Sequence, residues 1–200
     1  MGTCDALIFS ITSLGLTMKY WETLSSKLLI DDKWLKLTAD TCQLPDGRTI
    51  EPYYVLHEAG WVHVFAQADD GSILTVKQFR YAAKEICIEL PGGVIDEGET
   101  PLIAAQRELL EETGYSAIHW QSVGAMYANP ARQTNTIHLF FATGLSLMGQ
   151  QQLDVSEDIE FNFLSIREIQ QKIESNEFSQ ALHIASFYRG LHALTLNTNK

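Results

Sequence analysis

A chain of 200 residues, 46% of them hydrophobic, fits one domain or one domain with a small appendage, with material for a sizeable core. Its formal net charge of -11 argues against backbone-driven binding to DNA or RNA, which needs clustered Lys and Arg. A phosphorylated small molecule remains compatible, because bound cations can supply the missing positive charge. Three widely spaced cysteines (Cys4, Cys42, Cys87) form no CxxC or Cys/His metal spacing and read as reduced thiols of a cytoplasmic protein.

In chain order, residues 6–16 (ALIFSITSLGL) are the only long apolar run. The run is too short to span a bilayer, and no basic region precedes it, which argues against a signal peptide. Residues 1–17 are therefore set aside as an extension, with Met18 as a second plausible start. Residues 34–44 and 49–57 predict two strands around Pro45-Asp46-Gly47. Residues 61–68 and 72–79 predict a second hairpin around Asp69-Asp70-Gly71. Residues 86–90 form a short run into Pro91-Gly92-Gly93, followed by a helix over 101–113. Strand-like runs near 117–127 and 136–143 precede a polar loop over 144–158 and a strand over 159–164. Ser165 and Glu168 form a capping box for a helix near 166–174, and residues 177–195 predict a last helix. Strands outnumber helices without regular alternation. The expected class is α+β: a mixed, curled sheet sandwiched between helices, with an N-terminal β-hairpin extension. The boundaries expected are an extension at 1–17, an N-terminal β element at 18–57 and a main domain at 58–200.

The chemistry concentrates in residues 92–115, GGVIDEGETPLIAAQRELLEETGY. Thr100 suits an N-cap, Pro101 the first helical position and Gly114 the residue just past the end. At ~100° per residue, Leu102, Ile103, Leu109 and Leu110 fall on one broad side, and Glu108, Glu111 and Glu112 on another. Like charges so close repel. Oxygen-rich clusters suit hard cations such as Mg²⁺ or Mn²⁺. A bare ExxEE is on its own a solvated acidic face. The surroundings point the other way: glycines at 92, 93 and 98 permit close backbone approach, Glu99 sits at the loop–helix junction, and Arg107 can orient the carboxylates.

This segment resembles the Nudix box, G-x5-E-x7-R-E-U-x-E-E-x-G-U, where U is a bulky apolar residue. Gly93, Glu99, Arg107, Glu108, Leu109, Glu111, Glu112, Gly114 and Tyr115 occupy its specified positions, with Tyr115 the loosest fit. Residues 76–80 (VKQFR), 89–93 (ELPGG) and 137–142 (IHLFFA), with Pro130 and the N-terminal hairpin, resemble the ADP-ribose pyrophosphatase subgroup. The chain departs from it at Ala131, where Gly often follows the proline, and at Asn135, often acidic.

The resemblance implies metal-dependent cleavage of the diphosphate of ADP-ribose or a related nucleoside diphosphate sugar into two monophosphates. It implies Glu108, Glu112 and Glu111 as metal ligands, with the Gly92 carbonyl as a further oxygen, for two or more ions of Mg²⁺ or Mn²⁺. Arg107 and Glu99 would position that cluster, and Gly93 and Gly114 would shape it. Glu157 would be the general base, with Asp158 and Glu160 as rivals. Arg80, Glu89 and Pro130 would lie on the substrate side, Glu89 either taking ribose hydroxyls or bracing Arg80. Trp21 and Trp34 are candidate adenine platforms, although either is more often core. His63 and His138 read as strand residues. A homodimer through the N-terminal element is expected, with neither nucleic acid nor membrane as partner. The alternatives are a pyrophosphatase for GDP-mannose or another dinucleotide, and a module that senses ADP-ribose without cleaving it. Such modules usually lose box carboxylates, which are all present here.

Overall fold

The computed structural model describes residues 19–155 and 157–198. The N-terminal extension, its apolar run and Cys4 lie outside the described residues. The first sheet is antiparallel and three-stranded, in the order β1 (Glu22–Asp31), β2 (Lys36–Gln43), β3 (Thr49–His57). The expected hairpin is β2–β3, with Gly47 N–H closing its turn onto Leu44 O at 2.9 Å. Strand β1 escaped the sequence reading because all ten of its residues are exposed, so it has no alternating apolar pattern to betray it. Trp34, expected to open a strand, instead sits in the turn between β1 and β2, where Asp32 Oδ1 accepts its backbone N–H at 2.7 Å.

The second sheet runs β10 (Ile159–Leu164), β5 (Ile73–Arg80), β4 (Trp61–Gln67), β9 (Thr136–Leu147), β8 (Tyr115–Tyr127). Strand β6 (Glu85–Glu89) pairs with β5, and β7 (Gly92–Val94) with β4. The expected 61–68/72–79 hairpin has its turn, but its strands pair only at Gln67↔Ile73. They then diverge, β5 toward β6 and β10, and β4 into a parallel ladder with β9. That parallel pair makes the sheet mixed, and no local turn signal announces it. Strands β8 and β9 are longer than expected, so the polar loop begins only after Leu147.

Strand β4 has side chains on both faces, which decides where the helices go. Val62, Val64 and Ala66 meet Ala104, Ala105 and Leu109 of α1 (Pro101–Thr113). Phe65 meets Ile169 of α2 (Ile166–Glu174) and Phe187 of α3 (Ala181–Thr198) on the other face. The result is the expected α+β sandwich. Helix α3 begins at Ala181 rather than 177, because Gln180 Oε1 accepts the N–H groups of Leu182 and His183 at 2.7 and 3.2 Å. Glu177 and Phe178 instead close the preceding helix by donating to Lys172 O.

Candidate active site

Helix α1 is capped as its sequence predicts. Thr100 takes the N–H of Ile103, and Gly114 adopts the left-handed conformation at φ 74° while donating to Leu110 O at 2.8 Å. Of the leucine side, only Leu109 is buried. Ile103 is half exposed, and Leu102 and Leu110 are only partly covered. The helix approaches the sheet through Ala104, Ala105, Leu109 and Thr113, and the two alanines permit close packing. Glu108 and Glu112, one turn apart, share that face at 9% and 3% exposure.

The two glutamates meet β7. Gly92 N–H donates to Glu112 Oε2 at 2.8 Å. A Cβ on Gly93 would overlap the Glu108 carboxylate, and one on Gly92 would overlap the carbonyl of Val62. Both glycines are therefore required by close approach. Strand β7 carries no periodic signal in the sequence, being only the three residues Gly-Gly-Val.

Arg107 organises the outer side. Its Nε and Nη2 bind Glu99 Oε1 and Oε2, each at 2.9 Å, and Nη2 also donates to Val94 O at 2.9 Å. Its Nη1 donates to Glu108 Oε1 at 2.9 Å and Glu111 Oε2 at 3.0 Å. All five guanidinium N–H groups are thus committed. Those bonds hold the Arg107 proton more tightly than usual and keep the Glu99 carboxyl below its usual range.

The inner carboxylates behave differently. Burial pushes Glu108 up to about 7; Arg107 opposes the shift, and Glu111 and Glu157 reinforce it by repulsion. Burial also raises Glu112 well above the ordinary value, opposed by the Gly92 N–H and reinforced by Glu108 and Glu157. Buried carboxylates are costly to charge without a cation. Among the described residues, Glu108 Oε2, Glu111 Oε1 and Glu112 Oε1 carry no hydrogen bond. The donor chemistry therefore fits a hard divalent cation. Among the described residues no three His, Cys, Asp or Glu side chains form a ready-made metal cage.

Glu157 comes near this cluster, close enough for its charge to act on both Glu108 and Glu112. It caps its own turn, accepting from Asp154 N–H at 3.0 Å. The rival Glu160 pairs instead with Lys77 on the neighbouring strand at 3.4 Å. Arg80 also acts on Glu112 by charge, while its Nε and Nη2 donate to Glu89 at 3.0 and 2.5 Å. Glu89 has no exposed surface and is further held by His183 Nε2 at 3.3 Å. Of the two roles expected for Glu89, the contact present here is the brace on Arg80. His183 also takes the Leu90 N–H and stacks on His63 with ring centroids 3.9 Å apart. Burial keeps both imidazoles neutral, that of His183 down at about 3. His183, on the last helix, gave no sign in the sequence spacing. Pro130 is exposed in the turn after β8; that turn bonds β3 through Arg132 O and Leu56 N at 2.7 Å. No hydrogen bond or ion pair among the described residues joins Pro130 to the carboxylates. A groove of about 420 Å³ between β8 and α3, lined by Tyr188, Arg189 and His192, includes none of these groups.

Comparison with known proteins agrees with this geometry. Residues 57–183 match the NUDIX domain, and residues 21–56 match the nucleoside diphosphate sugar hydrolase N-terminal domain. The chain is 32% identical over 161 residues to an ADP-ribose pyrophosphatase of Bacillus subtilis (strain 168), covering 80% of this chain and 86% of that protein. It is 30% identical over 177 residues to an ADP-ribose pyrophosphatase of Mycobacterium tuberculosis (strain ATCC 25618 / H37Rv), covering 88% and 84%. A solved structure described as an ADP compounds hydrolase superposes with a TM-score of 0.79 over 90% of this chain and 97% of its own, at 15% identity, which speaks to the fold. With a NUDIX match across most of its length and relatives at 30% identity or more over most of theirs, the chain belongs to the NUDIX family of hydrolases.

Proposed function

We propose that this enzyme hydrolyses the diphosphate of ADP-ribose or a closely related nucleoside diphosphate sugar, releasing two monophosphates. The observation that carries the reading is the buried Glu108–Glu112 pair against Gly92-Gly93, with Glu157 within electrostatic reach. The relatives that act on ADP-ribose support the substrate class. Glu108, Glu112 and Glu111, with the Gly92 carbonyl, would hold two or more Mg²⁺ or Mn²⁺ ions. Such ions, when bound, neutralise a diphosphate and lower the pKa of water. Arg107 and Glu99 keep the ligands aimed. Glu157 accepts the proton of the attacking water, and Arg80, braced by Glu89, offers its outward N–H groups to a phosphate. Pro130 shapes the loop that borders the substrate.

We place the functional boundary near residue 57, with the β1–β3 sheet mediating a homodimer. Trp21, Leu24, Leu28 and Leu29 are exposed on the isolated chain, and apolar side chains gathered on an exposed surface mark interaction sites. The thiol pattern fits the cytoplasm. Among the described residues no helix is long and apolar enough to cross a membrane. The test is a panel of ADP-ribose, GDP-mannose and dinucleotides assayed with Mg²⁺, with products identified. AMP with ribose 5-phosphate is expected from ADP-ribose; binding of ADP-ribose without products would refute hydrolysis.

A further inference from the structure

The loop between β9 and β10 does more than connect two strands. The last carbonyls of any helix lack partners within it. In α1 the β9–β10 loop supplies partners to two of them, Glu111 O and Glu112 O. Gln152 N–H donates to Glu111 O at 2.9 Å, and Met148 N–H to Gly114 O at 2.9 Å. The Glu112 carbonyl is taken by the Gln151 side chain. Its Nε2 donates one hydrogen to Glu112 O at 2.5 Å and the other to Ile159 O at 2.9 Å. Both hydrogens of one amide are therefore spent on two different elements, the end of α1 and the start of β10.

We infer that Gln151 is a positioning residue for the reaction, stapling the loop that carries Glu157 to the helix that carries Glu108 and Glu112. The inference rests on the proposed role of Glu157. The Ile159 carbonyl held by Gln151 lies two positions after Glu157, so the staple ties the loop to the start of β10 just beyond Glu157. Within the loop, Glu157 N–H donates to Asp154 O at 2.9 Å, and Glu157 Oε2 takes the Asp154 N–H. Glu157 is thus anchored by its own turn, and that turn by Gln151. The same amide holds the carbonyl of Glu112 itself. One side chain thereby sets the distance between base and ligand. Removing it leaves each element folded but frees their separation, and misplacement by about 1 Å can cost on the order of 100-fold in rate.

The test uses the full-length enzyme with saturating Mg²⁺ and the best substrate of the panel. Gln151→Met keeps the length and removes both donors. Its kcat should fall roughly 10- to 100-fold with KM nearly unchanged. Gln151→Lys restores two donors and should recover most of kcat. In a Glu157→Gln background, Gln151→Met should have no further effect, because the base it positions is gone. Hydrogen exchange gives a readout apart from turnover: the Gln152 and Met148 amides should be protected in the wild type and exposed in Gln151→Met. Should Gln151→Met fail to fold, Gln151→Asn, too short to span both carbonyls, carries the same expectations. Normal kcat, additive losses in the double variant, or unchanged exchange would each overturn the staple while leaving the hydrolase reading intact. Full activity of Glu157→Gln would instead remove the base assignment, and the staple's role with it.

Discussion

Arg107 and Glu108 are neighbours on α1, yet a 2.9 Å bond joins Nη1 to Oε1. Adjacent helical residues do not normally face one another. Here the arginine arches across the helix because Glu99 and the Val94 carbonyl hold its far end. Arg107→Lys offers three hydrogens on a point charge in place of a five-donor fork, so it cannot satisfy all four partners. Metal affinity and kcat/KM should fall by about 10- to 100-fold, as for other groups that orient ligands. Metal titration of Arg107→Lys decides this, and wild-type affinity would remove the orienting role.

The buried carboxylates predict a pH-dependent stability. Glu108 titrates near 7 in the folded chain, above an ordinary glutamate near 4.5. The folded state then binds more protons between those values, so its contribution to stability is present at low pH and is lost as pH rises from about 4.5 to about 7. Glu99 and other carboxylates with lowered values act in the opposite sense, so the effect is read as a difference. In the metal-free protein, Tm of the wild type relative to Glu108→Gln should fall across that window. Parallel curves would contradict the shift.

Glu112→Gln keeps the volume and removes a charge that is costly to bury. Metal-free Tm should rise or hold, while turnover should drop by about 1,000-fold or more. A variant both stable and fully active would take Glu112 out of the metal site.

The two glycines of β7 should fail differently. A Cβ at Gly92 meets the backbone of Val62, which cannot yield, so Gly92→Ala should cost several kcal/mol, at least about 2, of stability. At Gly93 the three atoms nearest a Cβ all belong to the end of the Glu108 side chain, which can swing aside. Gly93→Ala should keep most of its Tm and lose about 100-fold in kcat through a displaced ligand. Thermal melts beside kinetics distinguish the two; equal Tm losses would contradict the contrast.

Local chemistry by itself determined helix α1 with both caps, the β2–β3 turn, the capping box of α2 and the family to which the chain belongs. Thr100, Gly114, Ser165 and Glu168 act on atoms a few residues away, so their spacing is already their geometry. Only the tertiary structure decided which face of α1 is buried, that β4 runs parallel to β9, that Glu89 braces Arg80 beside His183, and that Gln151 joins α1 to β10. Each of those bonds or packings links residues distant in the chain, or depends on how closely backbones approach. Such pairings arise when the apolar surfaces of whole elements are buried together, and that is a property of the folded chain, with no counterpart in any short stretch of sequence.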